Sequence, residues 1–279
     1  MADEAAGAAS PRSPPPFFEA REATFGYPAR GVVLQGVSVG IAAGERVGII
    51  GANGAGKSTL LRGLIGLCPA ISGTVRIDGR EVLSLRRYAI ARQVAYLPQE
   101  LRPAVGLTAL DVVLLGRAAH RAAGPSTWAF DTPDDVAAAH AALEEVGASV
   151  LGPRSFHALS GGERRLVVLA QALAQAGRGV LLDEPTAALD LRAQWMIAER
   201  LITVVERRGM ALVLVSHDLT LAARVCGRLI LLAEGAVVAD GPPAEVLVPG
   251  VLSRAFGIDL TVMQLADRAP LVVPRRVIP

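Results

Sequence analysis

Apolar residues recur along the chain in two rhythms, one near period two and one near 3.6, and each change of rhythm marks an element. Residues 17–25 and 32–41 alternate loosely and predict strands. Glu45 and Arg46 lead into Val47-Gly48-Ile49-Ile50, a short apolar run that predicts a buried strand. A glycine-rich turn and a helical pattern over 57–67 follow, then strand patterns at 74–77 and 94–97. From Thr108 to about Leu159 the rhythm turns helical, over 109–117 and again over 133–146 with Asp134 and Asp135 in the first turn. Residues 162–176 predict a strong helix, with Leu166, Leu169, Ala170 and Leu173 on one face. Beyond it, strand 180–182, helix 192–207, strand 212–215 and helix 219–225 alternate, as a parallel sheet with crossover helices requires. Residues 229–232 and 236–239 flank Glu234-Gly235, a hairpin signal, and the tail 259–273 predicts peripheral strand or extended chain.

Composition changes this picture in three places. Hydrophobic residues make up 52% of the chain and mean hydropathy is +0.42, so a membrane span has to be considered. The most apolar stretches, 211–216, 228–233 and 246–252, are interrupted far short of the roughly 18 residues a spanning helix needs. The first two suit strands buried on both faces, and any transport role needs another polypeptide to supply the pore. Residues 1–16 are small, polar and Pro-rich, with Asp3 and Glu4 where a signal peptide carries positive charge; they predict a disordered leader and a cytoplasmic protein. Cys68 and Cys226 lack metal or redox spacing and read as small buried residues, and a net charge of +2 gives no reason to expect a nucleic-acid partner. Lys57 is the only lysine in a chain whose other side-chain cations are arginines. That position calls for a compact ammonium on a flexible stem rather than a planar fork.

The same lysine sits in Gly51-Ala52-Asn53-Gly54-Ala55-Gly56-Lys57-Ser58, which follows a predicted strand and opens a predicted helix. Glycines there let backbone N–H groups turn inward around a phosphate, and the helix points its positive end at the same spot. Lys57 is placed to contact β- and γ-phosphates, and the Ser58 hydroxyl to ligate Mg²⁺. Val180-Leu181-Leu182-Asp183-Glu184 is an apolar strand ending in two acids, at the end of an open α/β sheet that faces the ligand crevice. Alone, such a pair is a cap or turn signal. Beside the phosphate loop, Asp183 is the metal candidate and Glu184 the base that activates water. Leu159-Ser160-Gly161-Gly162-Glu163 opens the strong helix as a capping box, Ser160 with Glu163, and the same exposed N-terminus suits a γ-phosphate.

Taken in order, these residues resemble the ATP-binding cassette ATPases, whose signature LSGGQ stands here as LSGGE. Gln99, in Tyr96-Leu97-Pro98-Gln99-Glu100, matches the family's glutamine loop, which touches Mg²⁺ and relays nucleotide state. Ala188-Leu189-Asp190 matches the loop that crosses the dimer interface, His217 the switch histidine, and Tyr27 the aromatic that stacks on adenine; Thr59 follows the phosphate loop on the same helix. The likeness runs from about Phe18 to Leu247. Departures are small: Glu163 for glutamine, Ala187 where serine is commoner, and Gly179, expected to weaken the strand leading to Asp183. His120, His140 and His157 have no partner spacing and read as surface or cap residues.

The resemblance implies an α/β P-loop NTPase fold with a mixed central sheet, an N-terminal antiparallel β subdomain and an inserted helical subdomain at about 100–159. The ATPase domain then spans 17–250, between the leader 1–16 and a C-terminal extension 251–279. It implies ATP and Mg²⁺ as ligands and two copies paired head to tail, each giving Lys57, Asp183 and Glu184 to one ATP and Ser160 and Gly162 to the other, with Gly161 and Asp190 as further nucleotide-binding candidates. It also implies membrane permease partners with a substrate-binding protein, at the cytoplasmic face of the cell membrane. Asp111-Val112-Val113-Leu114-Leu115-Gly116-Arg117 with His120, and residues 239–247, are similar to importers of iron–siderophore complexes, cobalamin and haem, with iron chelate placed first. Chromosome-maintenance ATPases share the motifs but separate them with a coiled coil, and only residues 100–158, without heptads, intervene here. Translation-associated cassette proteins usually carry two cassettes.

Overall fold

The computed structural model describes residues 15–99, 106–120, 132–175, 177–187, 189–264 and 270–277; the expectations for the leader up to residue 14 and for Ala188 lie outside them. The chain opens with β1 (Phe18–Tyr27) and β2 (Gly31–Ile41), an antiparallel pair. β3 (Arg46–Gly51) then runs into α1 (Lys57–Leu64) through the glycine-rich loop. β4 (Ala70–Ile77) and the two-residue β5 (Arg80–Glu81) return to the first pair, and α2 (Arg87–Gln93) leads to β6 (Val94–Leu97). α3 (Ala109–Leu115) and α4 (Pro133–Glu145) precede the long α5 (Gly161–Gln175). β7 (Gly179–Asp183), α6 (Leu191–Arg208), β8 (Ala211–Val215), α7 (Leu219–Val225) and β9 (Arg228–Ala233) complete the alternation. β10 (Ala236–Gly241), α8 (Pro243–Val246), α9 (Pro249–Phe256), β11 (Ile258–Gln264) and β12 (Pro270–Val277) close the described chain.

Six strands form the central sheet in the order β10-β9-β3-β8-β7-β6, parallel except for β10, which pairs antiparallel with β9. A separate antiparallel sheet has the order β2-β1-β4-β5. Side chains alternate along the central strands, so each strand feeds two cores. Leu212 and Leu214 of β8 face the core that α5, α6 and α7 complete, whereas Val213 and Val215 face α1 and the antiparallel sheet. Both faces are therefore dry, which explains continuous apolar runs in place of alternation. α1 is wedged between the sheets, its Leu60, Leu61 and Leu64 fully buried, and this fixes the direction in which the preceding loop points.

Polar caps set the helix starts. Thr108 with Asp111, and Thr132 with Asp135, form reciprocal capping boxes on α3 and α4. Asp135 is buried and also accepts from Arg117 Nε at 3.0 Å and Thr132 Oγ1 at 2.9 Å. Burial alone would raise its pKa, but the bonds from Arg117 and Thr132 outweigh it and hold the carboxyl below its ordinary value.

Some elements differ from the sequence pattern. α2 is Arg-rich and buries only Ile90, so it carries no apolar stripe to betray a helix. The tail, for which strand was one of the two expectations, is strand, with β11 and β12 paired antiparallel. Leu260 of β11 is buried in the main core, and the amide of Val272 donates to Thr220 Oγ1 of α7 at 3.5 Å. Gly179, expected to weaken β7, is there because Phe17 and Phe18 press on it: a Cβ would lie 2.7 Å from the Phe17 ring. Both cysteines are free and buried, and burial pushes the Cys226 thiol up to about 12.

Candidate functional site

The loop between β3 and α1 is shaped by its neighbours. Gly51 pairs with Leu232 of β9 and has φ 147; a Cβ there would stand 2.3 Å from the Leu232 carbonyl oxygen. Asn53, Gly54 and Gly56 line an open cleft of about 880 Å³ at the C-terminal end of the parallel strands, with Lys57, Ser58 and Thr59 of α1. Ala55 packs beneath, and its amide donates to Ala52 at 3.2 Å. Lys57 is only 6% exposed, and its ammonium donates to the carbonyls of Gly51 at 2.8 Å and Ala52 at 2.9 Å. Burial lowers its pKa, while the carboxylates of Glu184 and Asp183 partly restore it. A cation folded back on its own loop is ready to exchange two carbonyls for phosphate oxygens.

The two acids at the end of β7 have different surroundings. Asp183 is fully buried; its Oδ1 accepts from the Ser58 hydroxyl at 3.0 Å, while Oδ2 has no hydrogen-bond partner among the described residues. A buried carboxylate oxygen left unpaired, next to a hydroxyl, is an oxygen donor set suited to a hard cation such as Mg²⁺. Glu184 follows with φ 52, a left-handed backbone that costs a non-glycine residue about 1–3 kcal/mol. Its amide donates to Val215 at 3.0 Å, extending the sheet by one bond. Its side chain reaches into the cleft, where Oε2 accepts from Gln99 Nε2 at 3.0 Å and Oε1 pairs with His217 Nε2. Tyr27 lines the far wall, with its hydroxyl 3.5 Å from Thr59 Oγ1.

One cleft thus gathers Tyr27, the glycine-rich loop, Gln99, Glu184 and His217, with Asp183 beneath it. Ser160, Gly161, Gly162 and Asp190 are not part of it; they line a second cleft of about 650 Å³ together with Leu189 and Met196. There Ser160 and Glu163 make the expected capping box, 2.8 Å and 3.3 Å, and Glu163 is further held by Arg154 at 2.8 Å. Those bonds, first from the Ser160 amide, keep the Glu163 carboxyl below its ordinary value. Asp190 caps α6, accepting from the Ala193 amide at 2.8 Å.

Two arginines escape the sequence reading. Arg62 lines the first cleft and donates to the Tyr96 hydroxyl at 3.2 Å, which holds its guanidinium above its ordinary value. It lies one turn beyond Thr59 on the same face of α1, so helical spacing could have found it. Arg165 of α5 donates to the carbonyls of Pro185 and Glu184, and to that of Gln99 at 3.5 Å. No local motif marks it, since its partners come from two other segments. Of the remaining histidines, His140 is exposed and His120 Nε2 meets the Gln175 carbonyl at 2.6 Å.

The family model described as ABC transporter matches residues 34–187. The hemin import ATP-binding protein HmuV of Rhodococcus jostii (strain RHA1) is 42% identical over 248 residues, 88% of this chain and 82% of that protein. The cobalamin import ATP-binding protein BtuD of Halobacterium salinarum (strain ATCC 29341 / DSM 671 / R1) is 40% identical over 224 residues, 80% of this chain and 55% of that protein. Among solved structures, an inward-facing metal-chelate type ABC transporter matches with TM-score 0.79 and 27% identity, over 92% of this chain and 97% of its own. The ATP-binding cassette MJ0796, a dimeric post-hydrolysis state bound to ADP and Pi, matches with TM-score 0.70 and 27% identity, over 81% and 98%.

Proposed function

Since the chain belongs to the ABC transporter family of ATPases, we propose that it is the ATP-hydrolysing subunit of an importer, driving uptake of a metal chelate through a separate membrane permease. The observation that carries this reading is one cleft that holds a glycine-rich loop and is lined by Glu184, with the unpaired carboxylate oxygen of buried Asp183 beside it. The relatives' names favour haem as cargo, with cobalamin and the iron–siderophore complex behind it. The cargo would not touch this subunit.

In the reaction, the amides of residues 51–58 and the Lys57 ammonium would hold the triphosphate, and Tyr27 would stack on the base. Ser58 and Asp183, with Gln99, would hold Mg²⁺, which when bound neutralises phosphate charge. Glu184 would take the proton of the water that attacks the γ-phosphorus, and His217 would contact the γ-phosphate. Glu184 must first loosen its bonds to Gln99 and His217, so those two side chains sense whether nucleotide is present.

The second cleft supports a head-to-tail pair. Ser160, Gly161, Gly162 and Asp190 stand apart from Lys57 within one chain, and a partner copy would bring its own set to the γ-phosphate. Hydrolysis then removes the charge that joins two helix ends, and the pair reopens. The organisation proposed with this is an ATPase unit at 17–250, inserted helices at about 100–159 and an extension at 251–279. The subunit would sit peripherally at the cytoplasmic face; among the described residues no helix is long and apolar enough to cross a membrane.

Reconstitution with its permease in liposomes tests the reading. ATP hydrolysis should rise with permease and drive uptake of haem, with ferric siderophore and cobalamin as parallel arms. Stimulation by DNA or ribosomes, and none by permease, would refute it.

A further inference from the structure

The guanidinium of Arg165 is spent on backbone. Its three N–H-bearing nitrogens face three carbonyls, those of Glu184, Pro185 and Gln99, and none of the three is a carboxylate. A planar fork with five fixed donors can span such a set, and a lysine could not. Burial lowers the pKa of the group while Asp183 and Glu184 partly restore it, so the cation sits in the field of both acids without touching either carboxylate.

The contacts close a ring. Arg165 holds the Glu184 carbonyl; the Glu184 carboxylate is held by the Gln99 side chain; the Gln99 carbonyl returns to Arg165. Glu184 has a left-handed backbone, and the two carbonyls that follow its Cα, its own and that of Pro185, are both held by Arg165. Arg165 also stands on α5 less than two turns from Ser160, whose cleft is the second one.

We propose that Arg165 is a positioning residue: it fixes the backbone of Glu184 so that the carboxylate meets the attacking water, and it ties that aim to the start of α5. This rests on Glu184 being the base. Arrival of a γ-phosphate at the N-terminus of α5 would then be felt at Glu184 through one rigid side chain, without a loop in between.

The test compares Arg165→Gln, Arg165→Lys, Glu184→Gln and the double variant Arg165→Gln/Glu184→Gln in the full chain. It reads kcat and KM for ATP, affinity for a fluorescent ATP analogue, and the thermal unfolding midpoint. Arg165→Gln should lower kcat by about 10- to 100-fold, the scale of a misaimed catalytic group, with analogue affinity within about twofold of the parent. Arg165→Lys, reaching fewer carbonyls, should recover part of the rate. The double variant should hydrolyse no more slowly than Glu184→Gln alone, because a residue acting through Glu184 has nothing left to aim. A kcat within about threefold of the parent in a folded Arg165→Gln, or a further tenfold loss on the Glu184→Gln background, would overturn the proposal. So would equal losses of rate and affinity. If Arg165→Gln does not fold, Arg165→Lys decides by the same split of kcat from affinity. Normal hydrolysis by Glu184→Gln would instead remove the base itself, and the positioning role with it.

Discussion

Two glycines of the loop between β3 and α1 face opposite constraints, and alanine at each gives a quantitative test of why the loop has its shape. At Gly51 an added Cβ would stand 2.3 Å from the Leu232 carbonyl oxygen, and φ is 147. Roughly 1 Å of extra separation is needed before the pair reaches ordinary contact. That carbonyl belongs to β9, laddered to β3, so it cannot retreat without opening the central sheet. The backbone penalty of about 1–3 kcal/mol adds to an overpacking penalty of about 1–3 kcal/mol, giving a loss of about 2–6 kcal/mol for Gly51→Ala. Gly54 has φ 82 but nothing within 4 Å of its missing Cβ. Gly54→Ala therefore incurs the backbone term alone, about 1–2 kcal/mol. Urea unfolding followed by circular dichroism reads the stabilities, and titration with a fluorescent ATP analogue reads the loop. The ordering should be Gly51→Ala far below Gly54→Ala in midpoint, with affinity lost in parallel. Equal destabilisation by the two, or a harmless Gly51→Ala, would refute the steric argument.

Other substitutions separate the roles within the site. Glu184→Gln should keep ATP binding but lower turnover by about 10²–10⁴-fold, measured by phosphate release, and should trap the paired state in size-exclusion chromatography with ATP. Lys57→Ala should abolish binding of the fluorescent analogue; retained micromolar affinity would count against the cradle. Asp135→Asn removes a carboxylate held below its ordinary pKa, so it should cost about 1–3 kcal/mol at neutral pH. The stabilisation is complete above the unfolded pKa and disappears as pH falls through the lower folded one. The gap between variant and parent should therefore narrow below roughly pH 4, as followed by urea unfolding at a series of pH values.

What could be read from residues alone was whatever rests on local pattern. The strands around Val47 and Leu212 declare themselves as apolar runs, and the loop from Gly51 to Ser58 carries its chemistry within eight positions. The Ser160–Glu163 cap was visible because both partners lie in one turn. Contacts between distant segments left no such trace. Arg165 is one of two adjacent arginines in an Arg-rich chain, and only the fold turns it toward Glu184 rather than water. α2 hides because Arg86, Arg87 and Arg92 swamp its single buried Ile90. Gly179 looks like a weak strand former until the Phe17 ring is seen to occupy its side-chain space. The β11–β12 pair depends on Leu260 finding a core laid down by helices far upstream.

The burial of the lone lysine shields the chain from a lysine-specific protease. A lysine-specific protease has a single target here, the bond after Lys57, and that bond lies in the first turn of α1 with the side chain only 6% exposed. Cutting requires that turn to open, and nucleotide bound as proposed would favour the closed form by mass action. One incision, yielding pieces 1–57 and 58–279, should thus appear on a gel at a rate that reports how often the nucleotide cradle breathes.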